Sequence, residues 1–202
     1  MPKTSRFLTT SLSLALSLGV LSCQSTGGGQ PASPSDERAP EKPSRVAELR
    51  AQLKDPDMSV RLKAVEELGP MAESSQEAVD ALMEAASDSD PMVRRFVGYG
   101  LSDVKSPSAA LIAALTKLLH DPELDPRQAA GNALAKLAPR VEADSVRDLA
   151  ATLAAATSDK DETVRIHAVM GLYGLGAPGA LQVPAVKPAL ERALKDPSVH
   201  VR

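Results

Sequence analysis

The 202-residue sequence contains very few aromatic residues: it has no tryptophan, two phenylalanines and two tyrosines, which together make up 2% of the chain. A folded core must therefore be built from alanine, leucine and valine, and such a core favours thin, closely packed helices. Apolar residues account for 43% and charged residues for 24%, as in an ordinary globular protein. One domain is sufficient for a chain of this length.

Cysteine is nearly absent, since Cys23 is the only one. A single thiol excludes an intrachain disulfide and a zinc site built from several cysteines. The three histidines, His120, His167 and His200, are scattered and do not have the spacing of metal ligands. We therefore expect no metal and no cofactor. The sequence also presents no catalytic residue and no evident site for a small-molecule substrate.

A basic stripe is absent too, because the formal net charge is −3. Removal of residues 1–22 would take away Lys3 and Arg6 and leave −3 − 2 = −5. A negatively charged protein without clustered lysine and arginine is unsuited to the phosphate backbone. We therefore expect no nucleic-acid partner.

The N-terminus has the pattern of an export signal. A basic start precedes an apolar run from Phe7 to Leu21, which is too short to span a bilayer comfortably as a helix. The sequence Val20-Leu21-Ser22-Cys23 resembles the lipobox of bacterial lipoproteins. The resemblance implies a signal peptide over residues 1–22 and a palmitate-type lipid anchor on Cys23. The alternative is a non-lipidated signal peptide with an incidental cysteine.

The residue after the cysteine bears on localisation. Gln24 stands where an aspartate would otherwise be found, and this resembles the pattern of lipoproteins sent on to the outer membrane of Gram-negative bacteria. The resemblance implies an envelope protein that faces the periplasm or the cell surface. Residues 23–44 are rich in Gly, Ser and Pro and have almost no large apolar side chain, so they predict a flexible tether.

One pattern recurs through the rest of the chain: an aspartate is followed six residues later by an arginine, usually with a valine just before it. Successive arginines are 33, 33, 38 and 37 residues apart, which is the range of helical repeat arrays. The five copies are Asp55 with Arg61, Asp88 with Arg94, Asp121 with Arg127, Asp159 with Arg165, and Asp196 with Arg202.

Each repeat unit predicts two helices. Val97 and Leu101 follow Val93 at four-residue steps, so a second helix begins near each arginine. Gly-Pro and similar pairs, such as Gly69-Pro70, are expected to end these helices. Apolar periodicity ahead of each aspartate predicts the first helices, over Val46–Leu53, Val79–Ala86, Leu111–Leu119, Val146–Ala156 and Val186–Leu194.

These residues resemble the HEAT repeat family over residues 46–202, particularly the phycobilisome-lyase-like HEAT proteins with their D-x-D-x-x-V-R turn. The resemblance implies an all-α fold over residues 45–202, an α-α superhelix of about four helix pairs plus an incomplete fifth. It also implies that the turn aspartates and helix arginines form a structural ladder between repeats. That role falls to Asp55, Arg61, Asp88, Arg94, Asp121, Arg127, Asp159, Arg165 and Asp196.

Two qualifications apply to the ladder. Anion binding is the functional alternative for its arginines, but recurrence in every unit fits a packing requirement better. The third unit also departs from the pattern, since it has Pro126 before Arg127 and Glu123 where other units have aspartate. We therefore expect its turn to be reshaped.

In HEAT arrays the second helices line the concave face. The positions one, five and eight residues after each arginine fall on the exposed side of that helix. These positions include both tyrosines, and Tyr, Met and Arg are enriched at interface centres. The sequence thus predicts a protein- or peptide-binding surface, unless the rings merely fill gaps between helices. Its predicted residues are Arg95, Tyr99, Asn132, Met170 and Tyr173.

Two other function classes stay open. The HEAT resemblance includes enzymes, namely bilin lyases and the iron-dependent deoxyhypusine hydroxylase, but none of the three histidines here is followed by the glutamate of a His-Glu motif. A self-assembling structural role is the other class. The sequence ends at Val199–Arg202, in the opening of a fifth second helix, so we expect either a fragment of a longer array or a helix completed by a partner.

Overall fold

A computed structural model describes residues 43–202, so the predicted signal peptide (1–22), Cys23 and the tether up to residue 42 lie outside the described residues. None of the described helices is long and apolar enough to cross a membrane. The helices are α1 (Arg45–Gln52), α2 (Met58–Met71), α3 (Gln76–Ala85), α4 (Pro91–Gly100), α5 (Ala109–Leu119), α6 (Leu124–Leu137), α7 (Ala143–Ala156), α8 (Glu162–Gly174), α9 (Ala177–Ala180) and α10 (Val186–Ala193).

The helices alternate between two layers. The first helices of the units are α1, α3, α5, α7 and α10, and the second helices are α2, α4, α6 and α8. Each second helix packs on the first helix of its own unit, and α2, α4 and α6 each also pack on the second helix of the next unit. The predicted all-α superhelix is confirmed, with four helix pairs and the first helix of a fifth within residues 43–202.

Short polar side chains begin the helices. The hydroxyls of Ser44, Ser75 and Ser108 accept hydrogen bonds from the free N–H groups of α1, α3 and α5. The carboxylates of Asp57 and Asp90 do the same for α2 and α4. Each of these capping residues has an extended backbone, and its side chain accepts a hydrogen bond from a free N–H in the first turn. The position of the capping residue therefore determines where the helix starts.

The core contains no aromatic side chain among the described residues. Its buried apolar residues are Ala, Leu and Val with the single isoleucine Ile112. Small residues also let the second helices approach closely: a Cβ atom added to Gly98 would lie 2.8 Å from the Cβ of Ala129. The layer of second helices is therefore thin and tightly stacked.

One local prediction was wrong, and one short helix was not predicted. Gly69-Pro70 does not end α2, which continues to Met71. A proline in the last turn removes only one helical hydrogen bond, so the helix can end one residue later. Gly176-Ala177-Pro178 does end α8, with Gly176 at φ 77°, but α9 follows directly and was not predicted.

Candidate partner-binding surface

Three bidentate ion pairs connect neighbouring units. Nε and Nη2 of Arg61 donate to the two carboxylate oxygens of Asp88 at 2.8 and 3.0 Å. Arg94 donates to Asp121 at 2.7 and 2.8 Å. Arg165 donates to Asp196 at 2.8 and 3.0 Å in the same way. Each arginine thus binds the aspartate of the following unit.

The remaining donors and acceptors of these pairs are also used. Nη1 of Arg94 donates to the carbonyl of Asp88 in its own turn at 2.9 Å, and the backbone N–H of Asp90 donates to the carboxylate of Asp88 at 2.8 Å. The side chains of Arg94 and Asp121 are only 12% and 7% exposed. Because these side chains are buried and hydrogen-bonded, they hold neighbouring units in a fixed geometry. Few of their polar atoms are accessible to a ligand.

The pKa values of the ladder carboxyls reflect the same contacts. Burial acts to raise the pKa of Asp88 and of Asp121, but the hydrogen bonds from Arg61 and Arg94 and from backbone N–H groups outweigh it. Both pKa values therefore lie below the ordinary aspartate value. The carboxyls are ionised at neutral pH.

The third junction is different. Nε of Arg127 is 3.4 Å from Oδ2 of Asp159, close enough for an ion pair, but neither Nε nor Nη2 has an aligned hydrogen-bond partner among the described residues. Gln128 instead donates to Asp161 at 3.0 Å. The turn also lacks a side-chain cap, because Glu123 does not hydrogen-bond to the start of α6. The expected reshaping of the third turn is not found, because Nη1 of Arg127 donates to the carbonyl of Asp121 at 2.8 Å and the N–H of Glu123 donates to the carboxylate of Asp121 at 3.0 Å, as in the other turns. The difference lies in the missing cap and in the loose contact with the next unit.

The predicted binding residues lie along α4, α6 and α8. Tyr99 is 40% exposed, Met170 56% and Tyr173 89%, whereas Arg95 and Asn132 are half-buried. The structure brings Arg95 and Tyr99 together, with the guanidinium carbon 5.6 Å from the ring centroid. Arg95 also pairs with Asp125 at 3.1 Å.

Tyr99 and Tyr173 line separate grooves. The first, here called the α2–α4 groove, has a volume of about 450 Å³ and includes Glu66, Phe96, Tyr99 and Asp103 in its lining. Phe96 meets Tyr99 edge to face, with ring centroids 6.3 Å apart. The two rings form one wall of this groove.

The second groove lies between α8 and α10 and has a volume of about 640 Å³. Its lining is almost entirely apolar and includes Leu172, Tyr173, Leu181, Val186 and Leu190. The two grooves therefore differ in the side chains that accompany their tyrosines. Acidic side chains accompany the ring at one end, and aliphatic side chains accompany it at the other.

The sequence reasoning missed Phe96, Glu73 and Asp103 as members of the surface. Phe96 falls outside the columns that were used to define the face, and the two acidic residues follow the helix ends. They meet because α2 and α4 approach at Gly69 and Gly100, where a Cβ on Gly69 would lie 3.3 Å from the Cα of Gly100. No local signal marks that approach.

Within residues 43–202, no three His, Cys, Asp or Glu side chains are grouped so that they could hold a metal ion. His167 is half-buried against Gly131, and its Nδ1 has no hydrogen-bond partner among the described residues. Burial lowers the pKa of His167, and the charge of Asp161 opposes that shift only in part.

Comparisons with known proteins agree with this architecture. A family profile described as HEAT repeats matches residues 46–135 and 112–202. An engineered protein solved by the Northeast Structural Genomics Consortium has a TM-score of 0.60 and 19% identity over 78% of this chain and 75% of that chain. A designed armadillo repeat protein in complex with the peptide (KR)4 has a TM-score of 0.60 and 21% identity over 78% of this chain and 77% of that chain.

A computationally designed armadillo repeat protein for modular peptide recognition has a TM-score of 0.57 and 21% identity, over 76% of each chain. At such identities the solved structures indicate a shared fold alone. A comparison with curated protein sequences gives no match.

Proposed function

Because this chain belongs to the HEAT repeat family, we propose that it is a lipid-anchored scaffold of the bacterial envelope that binds a protein or peptide along its second helices. One observation carries the proposal: Tyr99 and Met170, which both lie five residues after a ladder arginine, are exposed on the second helices, although the core of the described residues contains no aromatic side chain. Exposed large side chains grouped on one face are typical of binding surfaces.

The ladder supports this function indirectly. The ion pairs from Arg61 to Asp88 and from Arg94 to Asp121 fix α2, α4 and α6 relative to one another. A face that is rigid before binding loses less conformational entropy when the partner docks. The ladder residues thus act through the geometry of the surface, while Arg95, Tyr99 and their neighbours make the contacts.

The similar solved structures add a second line of support. The designed armadillo protein in complex with the peptide (KR)4 indicates that an array of this fold can hold a peptide. The share of that chain that matches is 77%, so the comparison concerns most of it. A peptide segment is accordingly the form of partner that we propose.

Anchoring is the part of the proposal that concerns the N-terminus. The lipobox-like sequence ending at Cys23 and the tether that follows it support attachment to a membrane, from which the folded units would reach their partner. Glutamine at position 24 supports the outer membrane in a Gram-negative host. In this proposal the acyl chains on Cys23 provide the attachment.

Site-specific photocrosslinking tests the binding face. We would place p-benzoylphenylalanine at Asn132 or at Met170, which lie on the second helices. As the control it would replace Ala113, an exposed residue of α5, which is the first helix of the third unit. We expect a discrete adduct from positions 132 and 170 in intact cells and none from 113. The adduct should weaken in a Tyr99→Ala, Tyr173→Ala background.

Identical labelling from all three positions, or no adduct from the face, would contradict the proposal. An adduct formed only with a second copy of this chain would instead favour the self-assembling structural role. No observation in the described residues favours the bilin-lyase-like or other enzyme alternative.

A further inference from the structure

The α2–α4 groove has a lining suited to a long side chain. Val65, Gly69 and Gly100 contribute apolar surface, and Phe96 and Tyr99 contribute two aromatic rings. Neither glycine has a side chain to fill the space, and their backbones are in close contact. A cleft of about 450 Å³ with this lining accommodates an aliphatic stem.

Carboxylates complete the lining. Glu66, Glu73 and Asp103 all border the groove and all are exposed. The hydroxyl of Ser102 donates to Asp103 at 2.9 Å and, together with the charge of Lys136, holds the pKa of that carboxyl below its ordinary value. These carboxyls lie beside an apolar cleft, so the groove combines negative charge with apolar surface.

The chain's own cations serve two of these three carboxylates. Lys105 pairs with Glu73 at 3.1 Å and Lys136 with Asp103 at 3.4 Å, and the charge of Arg140 also acts on Asp103. Arg95 is engaged by Tyr99 and Asp125. Glu66 forms no ion pair within residues 43–202, so its charge is available to a cation from a partner.

This combination is specific to the first junction. The position of Glu66, five residues after the ladder arginine, is occupied by Tyr99, Asn132 and Met170 in the later units. The position of Asp103, nine residues after Arg94, is occupied by Lys136 in the next unit. A cation therefore meets a favourable field at this junction and not at the following one.

We propose that the α2–α4 groove receives a lysine or arginine side chain from a peptide segment of the partner, with the stem between the apolar walls and the cationic head at Glu66. This inference rests on the proposed function and specifies the partner's chemistry. Only a long cationic side chain satisfies both surfaces, since an aliphatic residue leaves Glu66 unpaired and an acidic residue is repelled. The negative net charge of the chain also favours encounter with basic segments.

Fluorescence anisotropy with short peptides tests the inference. The full-length chain, purified in detergent, would be titrated with fluorescein-labelled (KA)4, (LA)4 and (EA)4. We expect (KA)4 to bind tightest and Glu66→Gln to weaken its binding by about fivefold. The matched control is Glu191→Gln, which removes an equally exposed carboxylate from α10 and should leave the affinity unchanged.

A charge reversal provides a second, independent variant. Glu66→Lys should lose (KA)4 and bind (EA)4 better than the unaltered chain does. Because residue 66 is exposed, circular dichroism should show the same helical content in each variant.

Three results would overturn the inference: tighter binding of (LA)4 or (EA)4 than of (KA)4, equal losses in Glu66→Gln and Glu191→Gln, or no effect of charge reversal. If (LA)4 bound in a way that depended on Tyr173, the inference of a basic partner side chain would be wrong. The proposed peptide-binding function would still stand. Absence of both peptide binding and crosslinks from positions 132 and 170 would refute both.

Discussion

At the residue scale, each ladder arginine belongs to two units at once. Nη1 of Arg61 donates to the carbonyl of Asp55 at 2.9 Å within its own turn, while Nε and Nη2 bind Asp88 in the next unit. Planar guanidinium geometry makes this possible, because its five N–H donors point in fixed directions. Lysine at the same position could not satisfy both turns.

Removal of one such arginine should destabilise the fold strongly. Arg94→Ala leaves the buried carboxylate of Asp121 without its main partner, and we expect a loss of about 3–5 kcal/mol in the free energy of unfolding. The control is Arg95→Ala, because the pair of Arg95 with Asp125 is 35% and 48% exposed. It should cost at most about 1 kcal/mol. Urea denaturation followed by circular dichroism measures both, and equal losses would contradict the burial argument.

Acid should weaken the fold through the same carboxyls. The folded pKa values of Asp88 and Asp121 are below the ordinary value of about 4, so their contribution to stability is present above that pH. It is lost as the pH falls through the lower folded values. We expect the urea midpoint to fall between pH 5 and pH 2, roughly, and to depend less on pH in Asp121→Asn. An unchanged pH dependence in that variant would refute the assignment.

At the element scale, close contact between second helices depends on residues without bulk. Gly98 of α4 faces Ala129 of α6, and Gly171 of α8 faces Ala135 of α6 and Leu153 of α7. Alanine is the better helix former, so glycine at these positions reflects packing and not helix propensity.

Gly98→Ala should therefore destabilise the protein. The new Cβ would lie 2.8 Å from the Cβ of Ala129 and 3.2 Å from its carbonyl carbon, so α4 and α6 would have to separate. We expect a loss of about 1–3 kcal/mol in the free energy of unfolding. The double variant Gly98→Ala, Ala129→Gly should recover part of it. A single variant more stable than the unaltered protein would show that the helices are free to move apart.

Helix starts show what apolar periodicity can predict. α1 and α10 begin within one residue of the predicted starts, whereas α3 and α7 begin three residues early and α5 two residues early. Gln76 and Glu77 carry no apolar signal, and it is the hydroxyl of Ser75 that extends α3 back to them. Apolar periodicity locates the buried part of a helix but does not mark its first polar turn.

At the scale of the whole molecule, the repeat spacing predicted which residues form the surface, but it did not predict the grooves between the helices. Tyr99 and Tyr173 occupy related positions after Arg94 and Arg165, so their common face could be read from the repeat. The α2–α4 groove depends on the contact between Gly69 and Gly100, which are 31 residues apart in sequence. Long-range packing of that kind has no local sequence pattern.

The proposed lipid anchor leads to a prediction for the intact protein. Cys23→Ser should move the chain from the membrane fraction to the soluble fraction and abolish labelling by radioactive palmitate, because in this proposal acyl chains on Cys23 provide the membrane affinity. Fractionation and labelling of cells that express each form measure this. Gln24→Ser keeps the cysteine and should retain both properties. Retention of Cys23→Ser in the membrane would contradict the anchor.

The loose contact of Arg127 with Asp159 has a mechanical consequence. In a linear array, order passes from one unit to the next through nearest-neighbour coupling, and at this junction the packing of α6 on α8 is not reinforced by a bidentate ion pair. Cooperativity should be interrupted between α6 and α8, so residues 143–202 should lose protection in hydrogen exchange before residues 43–137. The double substitution Pro126→Val, Glu123→Asp gives the third turn the residues of the other units. In this variant the two segments should lose protection together.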